Sequence, residues 1–168
     1  MKKAEYKDLR KIINIINDGK KSLKEDGIDQ WQNGLPNKEN IKSDIFKKEG
    51  FVYEKDGEIV AYAQLKRSYE KNYKNIEDNF RKHENPLTIH RFCVKSLAKN
   101  KGFASLFMRE IIKYSKNKKI DSLRIDTHED NFKLRGLLGK FGFTFVGNCL
   151  VDDKIKKAKR KVYELSLC

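Results

Sequence analysis

The sequence predicts a mixed α/β fold in a single domain spanning residues 1–168. This length suits one domain. Apolar residues recur at helical spacing before residue 50 and at strand spacing just after it. From residue 86 onward, strand patterns and helix patterns alternate, and no repeat or linker-like change of composition interrupts them. These observations favour one mixed sheet flanked by helices.

Amphipathic helices are predicted in the first 50 residues. Apolar side chains spaced three and four residues apart predict a helix from Asp8 to Asn17. The next stretch, Lys20 to Glu25, either extends this helix or begins another one. After a loop from Gly27 to Asn37, a helix is predicted from Lys38 to Lys48, with Gly50 as its C-terminal cap.

A β-hairpin follows these helices. Two apolar runs, Phe51 to Glu54 and Glu58 to Leu65, flank Lys55-Asp56-Gly57, and an Asp-Gly pair between apolar runs is a strong hairpin signal. The polar segment from Lys66 to Glu84 contains few apolar residues. We expect it to be a long, mobile connection with about one helical turn at most.

The second half of the chain alternates strands and helices. Its clearest helix carries apolar residues on one face. The predicted elements are a strand from Leu87 to Val94, a polar turn from Lys95 to Lys101, a helix from Ala104 to Lys116, a strand from Ser122 to Thr127, a helix from Asn131 to Lys140 ended by Gly142, a strand from Phe143 to Leu150, a basic turn from Lys154 to Lys161 and a strand from Lys161 to Leu167.

The bulk properties narrow the class of protein. The formal net charge is +14, but the lysines are spread along the chain, so we expect a solvated basic surface rather than nucleic-acid binding. No apolar run of about 18 residues occurs, and charges interrupt the N-terminal segment before a signal-like core forms. We expect a cytoplasmic protein with no membrane partner. Three cysteines without metal-ligand spacing, Cys93, Cys149 and Cys168, predict reduced thiols and no metal.

One strand, turn and helix together indicate an anion site. The first turn of a helix leaves backbone N–H groups unpaired and carries about half a positive charge, which attracts phosphate or pyrophosphate. Gly102 and Ala104 allow a ligand to approach the backbone, and Lys99 and Lys101 add positive charge. The residues alone therefore predict a phosphate-binding helix start after the strand that ends at Val94.

Two segments resemble signatures of the GNAT acetyltransferases. Lys99 to Ala104 is similar to the acyl-CoA pyrophosphate loop Q/R-x-x-G-x-G/A, five residues beyond Val94, with Lys99 departing from the usual Gln or Arg. The segment that begins at Asn131 and ends at Gly142-Phe143 is similar to the second signature, an Asn-led helix. Both occur at the family's spacing, and the order of elements matches over essentially the whole chain.

The resemblance implies a central, mostly antiparallel sheet in which the strand ending at Val94 and the strand from Ser122 to Thr127 splay apart to admit the pantetheine arm of acetyl-CoA. It also implies that backbone groups of Phe92, Cys93 and Val94 bind this arm and that one of their N–H groups polarises the thioester carbonyl. The implied cofactor-binding residues are Phe92, Cys93, Val94, Lys99, Asn100, Lys101, Gly102, Phe103, Ala104, Asn131 and Leu134.

The catalytic residues stay open at this stage. The family often places a proton-donating tyrosine where this chain has Leu138, and leucine cannot donate a proton. A thiol with a pKa near 8.5 can leave without a dedicated acid. Candidates for a base are Asp126, His128 and His90, near the ends of the two strands that are expected to splay.

The acceptor is expected to be an amine, carried by a small molecule, a polyamine, an aminoglycoside-like antibiotic or a protein. Trp31 with Gln30 belongs to a loop that forms part of the acceptor wall in this family, and Thr127 is a further candidate. Trp31 is either a stacking platform or a lid over the core. Two other functions stay open: a CoA-binding sensor without catalysis and, from charge alone, a nucleic-acid-binding domain. Monomer and homodimer also stay open.

Overall fold

The computed structural model describes residues 1–67, 70–81, 84–95, 102–152 and 155–167. These ranges form a mixed α/β fold, as the sequence predicts. The strands are β1 (Lys2–Lys3), β2 (Gly50–Lys55), β3 (Glu58–Lys66), β4 (Pro86–Val94), β5 (Ser122–Thr127), β6 (Thr144–Asp152) and β7 (Lys157–Ser166). The helices are α1 (Leu9–Glu25), α2 (Lys38–Phe46), α3 (Phe103–Asn117) and α4 (Phe132–Lys140), with 3-10 helices at Tyr6–Asp8 and Lys71–Asn79.

The chain divides into two compact units. The first unit comprises Met1–Leu65 and His90–Ile111, and the second comprises Lys66–Ile89 and Ile112–Cys168. Strand β4 therefore contributes its first residues to the second unit and its last residues to the first. That residues 1–168 act as one domain stays a prediction.

The first unit is built on an antiparallel sheet covered by α1 and α2. β1 pairs with β2, and β2 pairs with β3. The end of β4 runs beside β3, where the Lys95 N–H donates to the Val60 carbonyl at 2.9 Å. Helix α1 buries the face that the apolar spacing indicated, and a buried isoleucine contributes roughly 1.5–3 kcal/mol. The core cluster contains Ala4, Ile12, Ile15, Ile16, Ile41, Ile45, Val52, Ile59, Tyr62 and Cys93.

The second unit contains the parallel pair of strands. Residues Pro86–Ile89 of β4 lie opposite Ser122–Ile125 of β5 in parallel register. β5 pairs antiparallel with β7, and β7 pairs antiparallel with β6. The described parallel ladder ends at Ile125, although β4 runs on to Val94 and β5 to Thr127.

The segment between β3 and β4 is more ordered than the sequence analysis expected. It contains a nine-residue 3-10 helix, Lys71–Asn79, rather than about one helical turn. Tyr73, Ile76 and Phe80 are its few large apolar residues among the described positions, and all three are buried in one cluster with Cys149 and Val162. The segment is fixed because its sparse apolar side chains all point into the same core.

Several predicted boundaries are wrong. Helix α2 ends at Phe46, and Lys48, with φ 57°, makes the left-handed turn assigned to Gly50. Gly50 instead begins β2, where an added Cβ would lie 3.1 Å from the Tyr62 hydroxyl. Helix α1 continues to Glu25, so it is one helix. β7 begins at Lys157 rather than Lys161, because alternate residues between the exposed lysines are buried.

Candidate functional site

The start of α3 has the open backbone expected of a phosphate-binding turn. Gly102 has φ +73°, a conformation that glycine adopts without steric cost. No described atom lies within 4 Å of the position that a Cβ at Gly102 would take. A helical hydrogen bond runs from the Leu106 N–H to the Gly102 carbonyl at 3.0 Å, so Phe103 and Ala104 lie in the first turn of α3. Lys99, Asn100 and Lys101 lie outside the described residues.

The end of β4 carries a left-handed residue just before the segment implied to bind pantetheine. Arg91 has φ +55° within the strand. After it, the Phe92 ring stacks on the Phe107 ring of α3, with centroids 5.4 Å apart. The buried Cys93 thiol donates to the Ile15 carbonyl at 3.3 Å. The side chains of Phe92 and Cys93 therefore pack into the first unit, so any role of these residues toward a cofactor rests on their backbone.

A buried polar network surrounds the Arg91 guanidinium. Its Nη1 lies 3.1 Å from Asp44 Oδ2 and donates to the Gln64 side-chain carbonyl. The Tyr62 hydroxyl donates to Asp44 at 2.7 Å, and Gln64 donates to Glu49 at 2.7 Å. Burial raises the pKa of Asp44, an effect that Arg91 and Tyr62 oppose. Burial, and then the Asp44 charge, raise the pKa of Tyr62, which keeps it protonated as a donor.

In the second unit, Asp126 is held by a residue that the sequence analysis did not single out. The hydroxyl of Tyr73, on the second 3-10 helix, donates to Asp126 Oδ1 at 2.6 Å. Burial, followed by the Asp126 charge, raises the pKa of Tyr73 well above its usual value, so the hydroxyl remains a donor. Burial also raises the pKa of the nearby Cys149 thiol to about 12, with a smaller contribution from Asp126.

Successive side chains of β5 alternate between its two faces. Ile125 and Thr127 are buried on one face of β5, whereas Arg124 and Asp126 lie on the other. On that other face, the Arg124 guanidinium stacks over the Phe80 ring at 3.7 Å. The segment between β3 and β4 therefore covers the Asp126 face of β5.

Thr127 and Asn131 form the junction between β5 and α4. The Asn131 side chain accepts the Leu134 N–H at 3.2 Å, which caps the helix, and donates to the Thr127 hydroxyl at 3.1 Å. Thr127 is fully buried. Both side chains are thus engaged in positioning the start of α4.

The two histidine candidates differ in their surroundings. His128 Nδ1 accepts the Asp130 N–H at 3.1 Å, which places the proton of neutral His128 on Nε2. Its Nδ1 lies 3.7 Å from the Asp130 carboxylate. His90, in the first unit, is half-buried beside Arg91.

The comparison with known families decides the class of protein. A family model described as the acetyltransferase (GNAT) family matches residues 17–143. The chain belongs to the GNAT acetyltransferase family. It is therefore an acyltransferase, and the helix start at Gly102 and the capped helix at Asn131 both lie within the matched range.

Solved structures of GNAT proteins share this fold. An acetyltransferase of the GNAT family from Streptococcus agalactiae 2603 is 26% identical, with a TM-score of 0.88 over 98% of this chain and 93% of that one. A GNAT acetyltransferase from Listeria monocytogenes 4b F2365 is 22% identical, with a TM-score of 0.74 over 97% and 91%. The yncA protein of Salmonella typhimurium, solved with its cofactor acetyl-CoA, is 14% identical, with a TM-score of 0.71 over 99% and 92%. A search of curated proteins finds no match.

The GNAT assignment clarifies the position where the family often carries a tyrosine. Leu138 of α4 is fully buried, so its side chain fills the interior of the second unit. A proton donor is thus absent at this position because the position serves packing. The described residue with a donor hydroxyl beside a candidate base is Tyr73, on a segment without a GNAT signature.

The expected acceptor-wall residues lie in the first unit. Trp31 is partly buried and packs against the core cluster, near enough to α1 that its Cζ3 would lie 3.2 Å from a Cβ at Gly19. It has φ +68°. The Gln30 carbonyl accepts the Gln32 side-chain amide at 3.1 Å. At least one face of Trp31 therefore covers the core.

Neither a candidate membrane span nor a candidate metal cluster occurs among the described residues. Among them, no helix is both long and apolar enough to span a bilayer. No group of three or more His, Cys, Asp or Glu side chains with metal-binding geometry is found in the same ranges.

Sequence reasoning missed Tyr73 and the Asp44–Arg91 pair. Asp44 lies on the apolar face of α2 between Ile41 and Ile45, and a carboxylate at such a position signals a buried partner. Tyr73 gave no comparable signal, because its partner Asp126 is 53 residues away in the chain.

Proposed function

We propose that this chain transfers an acetyl group from acetyl-CoA to the amine of a small molecule or protein. The observation that carries the proposal is the open, left-handed Gly102 at the first turn of α3, within the GNAT-matched range. We further propose that residues 1–168 act as one catalytic domain and that the protein is cytoplasmic.

The residues at this helix start suit the pyrophosphate of acetyl-CoA. The amides of Phe103 and Ala104 lie in the first turn of α3, and the helix dipole favours an anion there. Lys99 and Lys101 add charge in the sequence, and Asn100 separates them. The backbone of residues 92–94 would hold the pantetheine arm. Acetyl-CoA supplies an activated thioester, and no metal is needed for this chemistry.

We propose Asp126 as the base. An amine must lose a proton as its nitrogen bonds to the acetyl carbon, and a carboxylate fixed in place can accept that proton. The Tyr73 hydroxyl fixes Asp126 through a 2.6 Å hydrogen bond. His90 is the second candidate. Asn131 and Leu134 act by setting the start of α4, and Thr127 acts through Asn131.

The acceptor is proposed to be a primary amine that carries its charge near Asp126. Glu70 lies on the same segment as Tyr73, with its carboxylate 12% exposed and 3.2 Å from the Lys66 ammonium. Because Lys66 already pairs with Glu70, Asp126 is the carboxylate that we propose to attract the cationic group, in spite of the net charge of +14. Trp31 and Gln30 remain proposed acceptor contacts. No finding supports the alternative of a CoA-binding sensor.

Calorimetry with acetyl-CoA tests the proposal. Gly102→Glu places a side chain and a negative charge at the helix start, and we expect it to weaken binding by about a hundredfold. Gly57→Glu is the matched control, because Gly57 has φ +78° and equally open surroundings in the β2–β3 turn. The control should bind as the native chain does.

Turnover separates the proposal from its alternative. Release of free CoA in the presence of an amine panel is expected from the native chain. Binding without any CoA release would favour the sensor. A folded native chain that does not bind acetyl-CoA would contradict the proposal itself.

A further inference from the structure

We propose that Arg91 is a positioning residue whose guanidinium holds a left-handed kink in β4 and thereby sets the backbone of residues 92–94 for acetyl transfer. The inference rests on the proposed function, since it assigns that backbone to the pantetheine arm and the thioester. Its evidence, however, comes from the geometry of the first unit alone.

The backbone of Arg91 is unusual for its place in the fold. Only a few per cent of non-glycine residues adopt positive φ, and nearly all do so in turns. Lys48, Asp56 and Lys119 follow this rule, since each stands in a turn next to a helix or strand end. Arg91, with φ +55°, stands inside β4. Such a conformation persists only where the surroundings enforce it.

The surroundings enforce it through two different elements. The Arg91 Nη1 lies 3.1 Å and 3.2 Å from the two oxygens of Asp44, which is on α2. The same nitrogen donates to Gln64 on β3. Asp44 is 2% exposed and Gln64 is 7% exposed, so neither can follow the guanidinium into solvent. Two anchors on separate elements fix the direction of the side chain and, through it, the backbone.

The anchors are themselves held. Tyr62, fully buried, donates to Asp44 at 2.7 Å, and Glu49 accepts from Gln64 at 2.7 Å. Two carboxylates thus face Arg91: Asp44 contacts it directly, and Glu49 is linked to it through Gln64. His90 also lies close enough to Asp44 to act on its charge. A network in which every anchor has a second partner is rigid, and polar networks of this kind specify one arrangement.

Release of the kink would reorient the residues after Arg91. In a strand, a one-residue change of register turns each side chain to the opposite face. Phe92 now stacks on Phe107, and the Cys93 thiol reaches the Ile15 carbonyl. If residue 91 became extended, the amides of residues 92–94 would turn as well. A misplacement of about 1 Å at a reacting centre can cost a hundredfold in rate.

Paired substitutions separate the kink from simple loss of stability. In an Asp44→Asn background, which removes the buried charge, Arg91→Ala and Arg91→Gly both delete the guanidinium. Glycine adopts φ near +55° at no steric cost, whereas alanine adopts it only against a steric penalty from its Cβ. The alanine variant should lose about tenfold or more in kcat relative to the background chain. The glycine variant should stay within about threefold of that background, although both variants lose the same contacts.

The readouts are kcat, KM for acetyl-CoA and circular dichroism of each variant. Should the Asp44→Asn chain not fold, Asp44→Leu with Tyr62→Phe gives an apolar background for the same pair. Equal kcat values for the alanine and glycine variants, in either background, would overturn the positioning role. Failure of the native chain to bind acetyl-CoA would instead overturn the proposed function, so the two failures are distinguishable.

Discussion

At the scale of single residues, two hydroxyl–carboxylate pairs stand out, one in each unit. Tyr62 donates to Asp44 in the first unit, and Tyr73 donates to Asp126 in the second. Burial raises the pKa of both tyrosines, so each hydroxyl keeps its proton across the neutral range. The first pair supports Arg91. The second orients the carboxylate that we propose as the base.

Tyr73→Phe tests the second pair. The change removes one hydroxyl and leaves the ring in its cluster, so we expect a stability loss of about 1.5–3 kcal/mol, the usual range for a hydrogen bond to a charged group. Because Asp126 would no longer be held, kcat should fall by about tenfold. Urea unfolding and CoA-release assays measure the two effects. Tyr6→Phe, at an exposed tyrosine, is the control and should change neither. Loss of stability with unchanged kcat would contradict a role for Tyr73 in positioning Asp126.

At the scale of elements, the segment between β3 and β4 and the start of α4 determine the surroundings of β5. The segment is tied to β6 by close packing, since a Cβ at Gly147 would lie only 2.8 Å from Ile76. The start of α4 is tied to β5 through Asn131 and Thr127. Asp126 thus lies between two contacts that fix the end of its strand.

Asn131→Ala removes the cap of α4 and should destabilise the chain by about 1 kcal/mol, within the range of 0.5–2 kcal/mol for such caps. Asn131→Asp keeps an oxygen that can accept the Leu134 N–H, and Thr127 can then donate its own hydroxyl proton. We therefore expect the aspartate variant to stay close to the native stability. Chemical unfolding of the three chains checks the order. Equal losses in both variants would contradict the capping role.

At the scale of the whole molecule, the burial of one cysteine thiol and two tyrosine hydroxyls predicts how the stability of the fold depends on pH. The Cys149 pKa rises from 9.0 to about 12 in the folded chain, with burial as the main cause. Because the thiol pKa is higher in the folded chain than in the unfolded chain, the protonated thiol makes its full contribution to the free energy of unfolding below pH 9. This contribution is lost as the pH rises toward about 12. Tyr62 and Tyr73, whose pKa values folding also raises, act in the same direction from about pH 10 upward.

The melting temperature should therefore fall steadily between pH 9 and about 12. Cys149→Ala lowers the overall stability, but it removes one of the groups that must ionise on unfolding. We expect its melting temperature to fall less steeply over that interval than that of the native chain. Identical slopes would show that Cys149 does not contribute. Scanning calorimetry in buffers of constant ionic strength makes the comparison.

Local patterns in the sequence determined most of the fold. The bounds of β5 match the prediction, and Lys38 begins α2 as expected, because side-chain periodicity and capping act over a few residues. The helix start after Gly102 and a helix led by Asn131 were predicted for the same reason, whereas the cap made by the Asn131 side chain was found in the structure. Two signatures at family spacing were enough to indicate an acetyl-CoA-dependent enzyme, and the family match confirms the class.

Only the tertiary structure decided which distant residues meet. Arg91 contacts Asp44 across 47 positions, and Tyr73 contacts Asp126 across 53. It also decided that Lys48, not Gly50, turns the chain after α2, since the strand pairing of β2 already begins at Gly50. Such outcomes depend on packing between elements and on the cost of burying a charge without a partner, and neither quantity is contained in local sequence spacing.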